Sequence, residues 1–489
     1  AYDLLGLMVP CVAVLSVLVI ATHLLLCGLE EEAAEGPALN QARCTAIWAQ
    51  TIASFFALVD NISFSLVIPD SYSLVVGLGG SPALSGVFVG ITKFGMAFGS
   101  VFIFLLLRSW PQAWKQRGRE LWILCACSDV VGAGFYFAIC CVTSGRWPVA
   151  VERHGHLLGI LMVGRYLLGL GGGIRMMLGR TLIGRLNDNR HQPMHMARFV
   201  FSIMLGLGLG PVIASGVKTI DLQFCDAPGR RYEVVGLVAL SLTLSQLAMA
   251  FRFPSLSGEG ITDFGGSEFS GDTSHEVLHE KKAVVRLCLF FAMVRGLVVS
   301  GVEVSTSMVL ETEFGWTPRW IGIAEGLAFL TSVPVRLLYV RFGRRMNMDI
   351  WILLFLFAGM CGCALIFQIP PPLLMGFTPL WREIVQVGAL LVSDAIVFSS
   401  IFHSDGLNQG ILFQNLVPQS SRWLSINWVS LFQTFLVDGV ARSIGPPLAR
   451  GTMHRDRDQY ATQQLLLILL LVLTVVFGLS PRISKRPPF

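Results

Sequence analysis

Long apolar runs alternate with short polar breaks along the whole chain, and their spacing predicts its architecture. Runs of roughly 20 residues match the thickness of a bilayer core. In the main array they cover about residues 44–68, 83–107, 120–143, 156–180, 197–218 and 233–253, then 284–309, 320–340, 350–369, 378–402, 422–446 and 462–480. They are continuous rather than alternating in polarity, so they read as helices, which satisfy their own backbone groups in lipid. Residues 409–421 read as a loop. A further apolar run, 3–28, precedes the array and ends in the acidic linker Glu30, Glu31, Glu32 and Glu35. It lacks the inward polar residues of the later runs and is expected to be accessory: a signal anchor, the remnant of a longer N-terminal region, or a peripheral helix. The chain starts at Ala1 rather than Met, which leaves room for a missing N-terminus.

One long hydrophilic stretch, 254–283, divides the array into equal halves. The expected units are therefore an accessory helix and linker (1–43), a six-helix bundle (44–253), a central loop (254–283), and a second six-helix bundle with a basic tail (284–489). The chain is an all-α polytopic membrane protein. Its 54% hydrophobic and 14% charged composition and mean hydropathy of +0.66 agree. The net charge of +5 is spread over short loops, which argues against nucleic acid as a partner. Arg108, Lys115, Arg117 and Arg119, then Arg180, Arg185 and Arg190, then Arg341, Arg344 and Arg345, then Arg482, Lys485 and Arg486 all fall on one side if helices alternate. The positive-inside rule makes that side, and the central loop, cytosolic.

The stretch Gly164–Pro211 carries the densest chemistry. Closely spaced glycines let helix backbones approach, while Arg165 and Arg175 sit at membrane depth, where a cation is costly unless it faces protein or water. Asp60, Lys93, Asp129, Arg295, Glu303, Glu325, Arg336, Asp394, Asp438 and Arg442 share that depth. Lys93, Arg165, Arg295 and Arg442 are the candidate anion-binding cations. For Lys93 a pair with Asp60 or Asp129 competes evenly. Arg175, Arg180 and Arg185 suit gating or lipid-headgroup contacts. Glu303 and Asp60 are the proton-coupling candidates, with a standing pair between Glu303 and Arg295 or Arg442 as the bland alternative. Arg295 and Glu303 lie two turns apart on nearly one face. Asp438 and Arg442, four apart, read as an intrahelical pair that positions Arg442. Gly171, Gly172, Gly210, Pro211, Gly445 and Pro446 are expected to bend helices or let them pack closely, with GLGLGP and SIGPP in equivalent fifth and eleventh helices. The cations and the carboxylate between the halves are expected to look onto one shared watery chamber.

Other motifs point away from chemistry. GLGGG lies within an apolar helix, so it is no nucleotide loop. Most cysteines sit in apolar runs as small hydrophobes, and neither CAC at 125–127 nor any other spacing suggests a metal site. His154, His156, His191 and His195 read as solvated loop residues, and His403 as near a helix end. No nucleophile–base constellation appears, so no enzyme and no cofactor is expected.

Several ordered motifs carry a resemblance. IPDSYS at 68–73, SGVFVGITKFGMAFGSVF at 85–102 and RSW at 108–110 resemble the opening of the vacuolar phosphate transporters that carry an SPX domain. GRYLLGLGGG, VEVSTSMVLETEFGWT (with Glu303 and Trp316) and VDGVARSIGPPLA at 437–449 resemble the lysosomal ceroid-lipofuscinosis group. Both are branches of the major facilitator superfamily, whose fold has two six-helix bundles. The match spans 44–480 and departs in places. Arg175 is displaced by one position, Gly179 stands where a polar residue is expected, no SPX domain is present, and the superfamily loop motif survives only as RFGRR at 341–345. The resemblance implies an endomembrane transporter or channel for a small anion and does not fix which one. The expected function is alternating-access transport of that anion, phosphate first, across a vacuolar or lysosome-like membrane, by a monomer. A chloride channel of the same fold, or a non-transporting scaffold or receptor, are the alternatives.

Overall fold

The structure, a computed structural model, describes residues 37–143, 154–187, 192–224, 231–257, 275–342, 347–370, 377–416 and 424–483. The expected accessory helix, the central loop up to residue 274, and the tail beyond residue 483 lie outside these. The membrane array begins with α1 (Pro37–Ser65), α2 (Pro82–Ser109), α3 (Gly118–Thr143), α4 (His154–Leu186), α5 (Gln192–Phe224) and α6 (Arg231–Phe251). It continues with α7 (His275–Thr312), α8 (Pro318–Leu330, resuming as Ser332–Phe342), α9 (Met348–Ala364) and α10 (Pro379–Gln414). Segment α11 runs through Ile426–Phe432, a π-helical stretch Gln433–Ala441 and Arg442–Met453, and α12 through Arg457–Leu473, Thr474–Leu479 and Ser480–Ile483. Among the described residues, ten helices are long and apolar enough to cross a membrane, and α9 is a shorter apolar one. The chain is a multi-pass membrane protein.

Local chemistry sets the ends. Ser81 Oγ accepts from Leu84 N at 3.2 Å ahead of Pro82, and Ser425 Oγ accepts from Trp428 N at 3.4 Å, both N-caps. Helix α8 breaks at Thr331 because Pro334 has no N–H for the Leu330 carbonyl four residues back.

Three expectations shift. Helix α10 runs to Gln414, not to 402, so most of the predicted loop at 409–421 that is described is helical. The polar run from His403 to Gln409 resembles a loop by composition, yet His403, Ser404, Asp405, Asn408 and Gln409 are all buried. They point polar groups at α7: Asn408 Nδ2 donates to the Cys288 carbonyl at 3.0 Å, and Asp405 pairs with Arg295. Helix α7 starts at His275, inside the stretch expected to be loop, because a charged amphipathic turn extends it beyond the bilayer. His195, expected in a solvated loop, is buried in the first turns of α5.

The packing repeats after six helices. Helix α1 packs on α5 as α7 does on α11, α3 on α6 as α9 on α12, and α3 on α4 as α9 on α10. Two equivalent bundles result. They meet along α2–α11 and α5–α8, pairs that exchange under the same six-helix shift. The α2–α4 contact is a close glycine approach: a Cβ on Gly95 would fall 3.0 Å from the Leu170 backbone nitrogen, and one on Gly173 2.6 Å from Met96 Cα.

A bulkier residue there forces two backbones apart, and overpacking costs about 1–3 kcal/mol. Gly173→Val is expected to lower the thermal midpoint of the detergent-purified chain. Gly134→Val, where a Cβ meets nothing within 4 Å, should leave it near wild type. Equal melting of the two variants would contradict the packing.

Candidate functional site

Charged side chains in the core fall into matched sets and an unmatched remainder. In the C-terminal bundle Glu303 Oε1 accepts from Arg442 Nη2 at 2.5 Å, and Asp405 accepts from Arg295. All four are buried. Glu303 thus has the standing guanidinium partner that the bland alternative names, and that partner is Arg442. Arg295 turns instead to α10. The shared face expected for Arg295 and Glu303 therefore splits toward two different neighbours. Asp405 was missed because the polar run around it read as a helix end.

In the N-terminal bundle Arg175 holds two carboxylates. Its Nε and Nη2 donate to Asp60 at 3.1 and 2.5 Å, and Nη2 also contacts Asp129. Gln246 Nε2 donates to Asp60 Oδ1 at 2.7 Å. Asp60 is therefore tied to α4 and α6, not to Lys93. Asp438 does not pair with Arg442. It meets Arg180 across the bundle boundary at 2.6 Å, and Thr434 Oγ1 accepts from the same guanidinium at 2.7 Å. Arg180 approaches from α4 on the side of the π-helical stretch that presents Asp438, which leaves Arg442 free to reach α7.

Lys93 and Arg165 are the remainder. Both are buried, and among the described residues neither has a carboxylate within ion-pair range. The Lys93 ammonium lies 4.0 Å from the centroid of the Phe64 ring and feels the charges of Arg442, Glu303, Asp438 and Asp60. Arg165 donates only to the Ser63 and Phe64 carbonyls, at 3.1 and 3.2 Å, and its Nε has no acceptor. Arg165 and Arg442 also approach the Phe64 ring, at 5.9 and 5.4 Å. Lys93 and Arg165 use the negative quadrupole of the ring in place of a counter-charge, and Arg442, already paired with Glu303, adds a third cation near it. Phe64 was not singled out from sequence, since a phenylalanine in an apolar run carries no signal.

Lys93, Arg165 and Phe64 line a narrow cavity of about 20 Å³, together with Asp60, Asn61 and Ser63 among others. That is room for roughly one water. Among its residues Ser63 Oγ, Thr92 Oγ1, Asn61 Oδ1 and Arg165 Nε are buried polar atoms without partners, and Asp129 meets only Arg175. The cavity lies wholly within the N-terminal bundle. A chamber shared by Arg295, Arg442 and Glu303 is not what the structure shows, because each C-terminal cation is already neutralised beside it.

The helix-shaping positions divide by role. Gly172 faces the cavity, with Asp60 Oδ2 and Met96 Cγ each 3.8 Å from a built Cβ, whereas Gly171 presses on the Cys125 carbonyl of α3 at 2.7 Å. Gly210 packs on the Ile62 carbonyl of α1, and Pro211 lies inside α5 with its carbonyl against Gly322 of α8. Gly445 meets Ser300 of α7, and Pro446 meets Gly86 of α2 across the bundle boundary.

Both ends of the boundary are closed. At the end of the 66–82 connection, Arg450 donates to Ser71 Oγ and Ser85 Oγ at 2.7 and 2.6 Å. At the basic end, Arg180 holds Asp438, Arg185 reaches Asn427 Oδ1 at 3.4 Å, and the tilted rings of Phe104 and Trp428 meet with centroids 4.6 Å apart. Among the described residues no group of metal-ligating side chains gathers.

No protein-family model and no curated protein matches the chain. Solved structures do. A major facilitator proton:xylose symporter, XylE, bound to 6-bromo-6-deoxy-D-glucose, aligns at 12% identity over 89% of this chain and 95% of its own, with a TM-score of 0.61. XylE from E. coli in a partially occluded inward-open conformation aligns at 12% identity over 91% and 100%, with a TM-score of 0.58. The human organic anion transporter MFSD10 (TETRAN) aligns at 15% identity over 88% and 99%, with a TM-score of 0.52. The chain has the major facilitator fold. These likenesses extend to the fold that the phosphate and lysosomal groups share, and not to membership in either.

Removing Arg175 would strand two buried carboxylates, a change that costs about 3–5 kcal/mol. Arg175→Gln is expected to melt well below wild type, and Arg175→Gln combined with Asp60→Asn and Asp129→Asn to recover most of the loss. A triple variant no better than the single one would overturn the pairing.

Proposed function

We propose that the chain is a secondary transporter that carries a small oxyanion, phosphate first, by alternating access. The observation that supports this is the donor set of the N-terminal cavity. Lys93, Arg165 Nε and the Thr92 and Ser63 hydroxyls are four donors without acceptors, gathered where two cations lack carboxylates. Around the cavity, Lys93 and Arg165 with the adjoining Arg175 make three cations against two carboxylates, Asp60 and Asp129. One monovalent anion restores neutrality, and charge-assisted hydrogen bonds are the strong ones. A neutral sugar would leave the surplus in place. The printed descriptions of the structural neighbours include both a sugar symporter and an organic anion transporter, and the charge balance favours the second.

A cavity this small cannot hold phosphate as it stands. Binding therefore belongs to a conformation in which the bundles have rocked apart at one end, breaking either the Arg450 contacts or those of Arg180 and Arg185. Closure at both ends favours a carrier over a chloride-conducting pore. Glu303 and Arg442 supply the coupling. A proton taken up on Glu303 releases the Arg442 charge toward Phe64, Lys93 and Arg165, and the core then accepts one more negative charge. Proton and anion enter together, and the charge in the membrane core stays balanced. Asp60, held by Arg175 and Gln246, is the second candidate for that proton. Distribution of the basic loops places residues 110–118 and the central loop in the cytosol, and an endomembrane is the favoured setting.

Uptake of labelled phosphate into proteoliposomes, with and without an inward proton gradient, is the test. Each lost charge-assisted contact is worth about 1.5–3 kcal/mol, so Lys93→Gln or Arg165→Gln should raise the half-saturating concentration roughly tenfold or more. Glu303→Gln should keep flux but lose its response to the gradient. Xylose uptake without phosphate uptake, or full coupling in Glu303→Gln, would refute the proposal.

A further inference from the structure

Helix α7 is 38 residues long, about 57 Å at 1.5 Å per residue. The hydrocarbon core needs only about 30 Å. The surplus projects from the basic, cytosol-facing end, so the first turns of α7 lie at the depth of lipid headgroups. There the helix presents one stripe. Lys282, Val285, Arg286, Leu289, Phe290 and Met293 recur at the spacing of a single helix face. Together with Leu424, Phe432 and Leu436 from α11 and the connection before it, they line a groove of about 610 Å³.

The groove has two chemistries at two depths. Its cationic mouth holds half-buried Lys282 and exposed Arg286, one turn apart. Neither makes a hydrogen bond or ion pair among the described residues. Below the mouth the walls are apolar for about 10 Å along the helix, from Arg286 to Met293. Phe290 stands partly exposed there. An extended apolar slot with two free cations at the headgroup level has the shape and charge order of a phospholipid: anionic head, then acyl chain. Basic pockets between transmembrane helices on the cytoplasmic side favour anionic head groups, and that leaflet is the one rich in them.

We propose that the α7–α11 groove is a binding site for an anionic phospholipid, with Lys282 and Arg286 on the head group and Leu289, Met293, Phe432 and Leu436 along one chain. The site lies outside the anion cavity and does not depend on the transport proposal. It sits at the seam where α11 enters its π-helical stretch, so an occupied groove braces the C-terminal bundle on its lipid-facing side.

The experiment is native mass spectrometry of the full chain in uncharged detergent, titrated with phosphatidylserine and with phosphatidylcholine of the same chains. Wild type is expected to retain phosphatidylserine in preference. A basic residue near the surface contributes enough that losing two lowers such a preference roughly thirtyfold. Lys282→Gln with Arg286→Gln should lose it to that extent. Leu289→Trp with Met293→Trp, which fills the slot and keeps both cations, should lose retained lipid of either kind. Arg108→Gln, a cytosolic-end basic residue outside the groove, should change nothing. No preference in wild type, preference surviving in the double glutamine variant, or equal loss in Arg108→Gln would overturn the site. Anionic lipid retained by the slot-filled variant would reduce it to diffuse surface charge.

Discussion

Placing a charge in a bilayer core is tolerable only when something nearby answers it, and this constraint organises the whole molecule. Arg175 is answered by Asp60 and Asp129, Arg442 by Glu303, Arg295 by Asp405 and Arg180 by Asp438. Lys93 and Arg165 are answered only by an aromatic ring and two carbonyls. A stable fold would have little reason to keep such a pair for packing alone. An apolar residue of similar volume does the structural task at lower cost, since even well-made buried ion pairs rarely outperform hydrophobic replacements.

The glycine-rich contacts make this arrangement possible. Backbone approach between α2 and α4 brings Lys93 and Arg165 to the same cavity, because each helix carries one of them on the face beside its glycines. The boundary between bundles has close glycine contacts too, Gly86 on Pro446 and Gly322 on Pro211, and adds polar contacts toward its two ends. Arg450 on serine hydroxyls and Arg180 on Asp438 are polar contacts that can be exchanged for water when a bundle rocks. Exchangeable polar contacts toward the ends of the boundary suit two bundles that rock against each other.

Much of the fold was legible in the sequence, because lipid leaves the backbone few options. Runs of apolar residues, basic loops on alternate sides and one hydrophilic break gave the helices and their grouping into sixes. Lys93 and Arg165 stood out for the same reason: a cation at that depth has to be explained. The partners did not stand out. Whether Glu303 meets Arg295 or Arg442, and whether Asp438 turns to its own helix or to Arg180, depends on how helices distant in sequence face one another. Asp405 was hidden by its surroundings, since His403, Ser404, Asn408 and Gln409 mimic a loop until the helix they sit on is seen packed against α7. Phe64 was invisible for the opposite reason, being one apolar residue among many. The shared chamber expected from the sequence assumed that every buried cation is free, and pairing removed half of them.

The central claim is that the surplus positive charge around Phe64 selects an anion. Transient currents from the purified chain on a solid-supported membrane test it most directly, because they register charge entering the protein even before turnover. A jump in phosphate concentration is predicted to produce a charge displacement that disappears when Lys93 and Arg165 are both glutamine, while an equal jump in xylose produces none. A displacement on xylose with none on phosphate, or an undiminished phosphate signal in the double variant, would contradict the account.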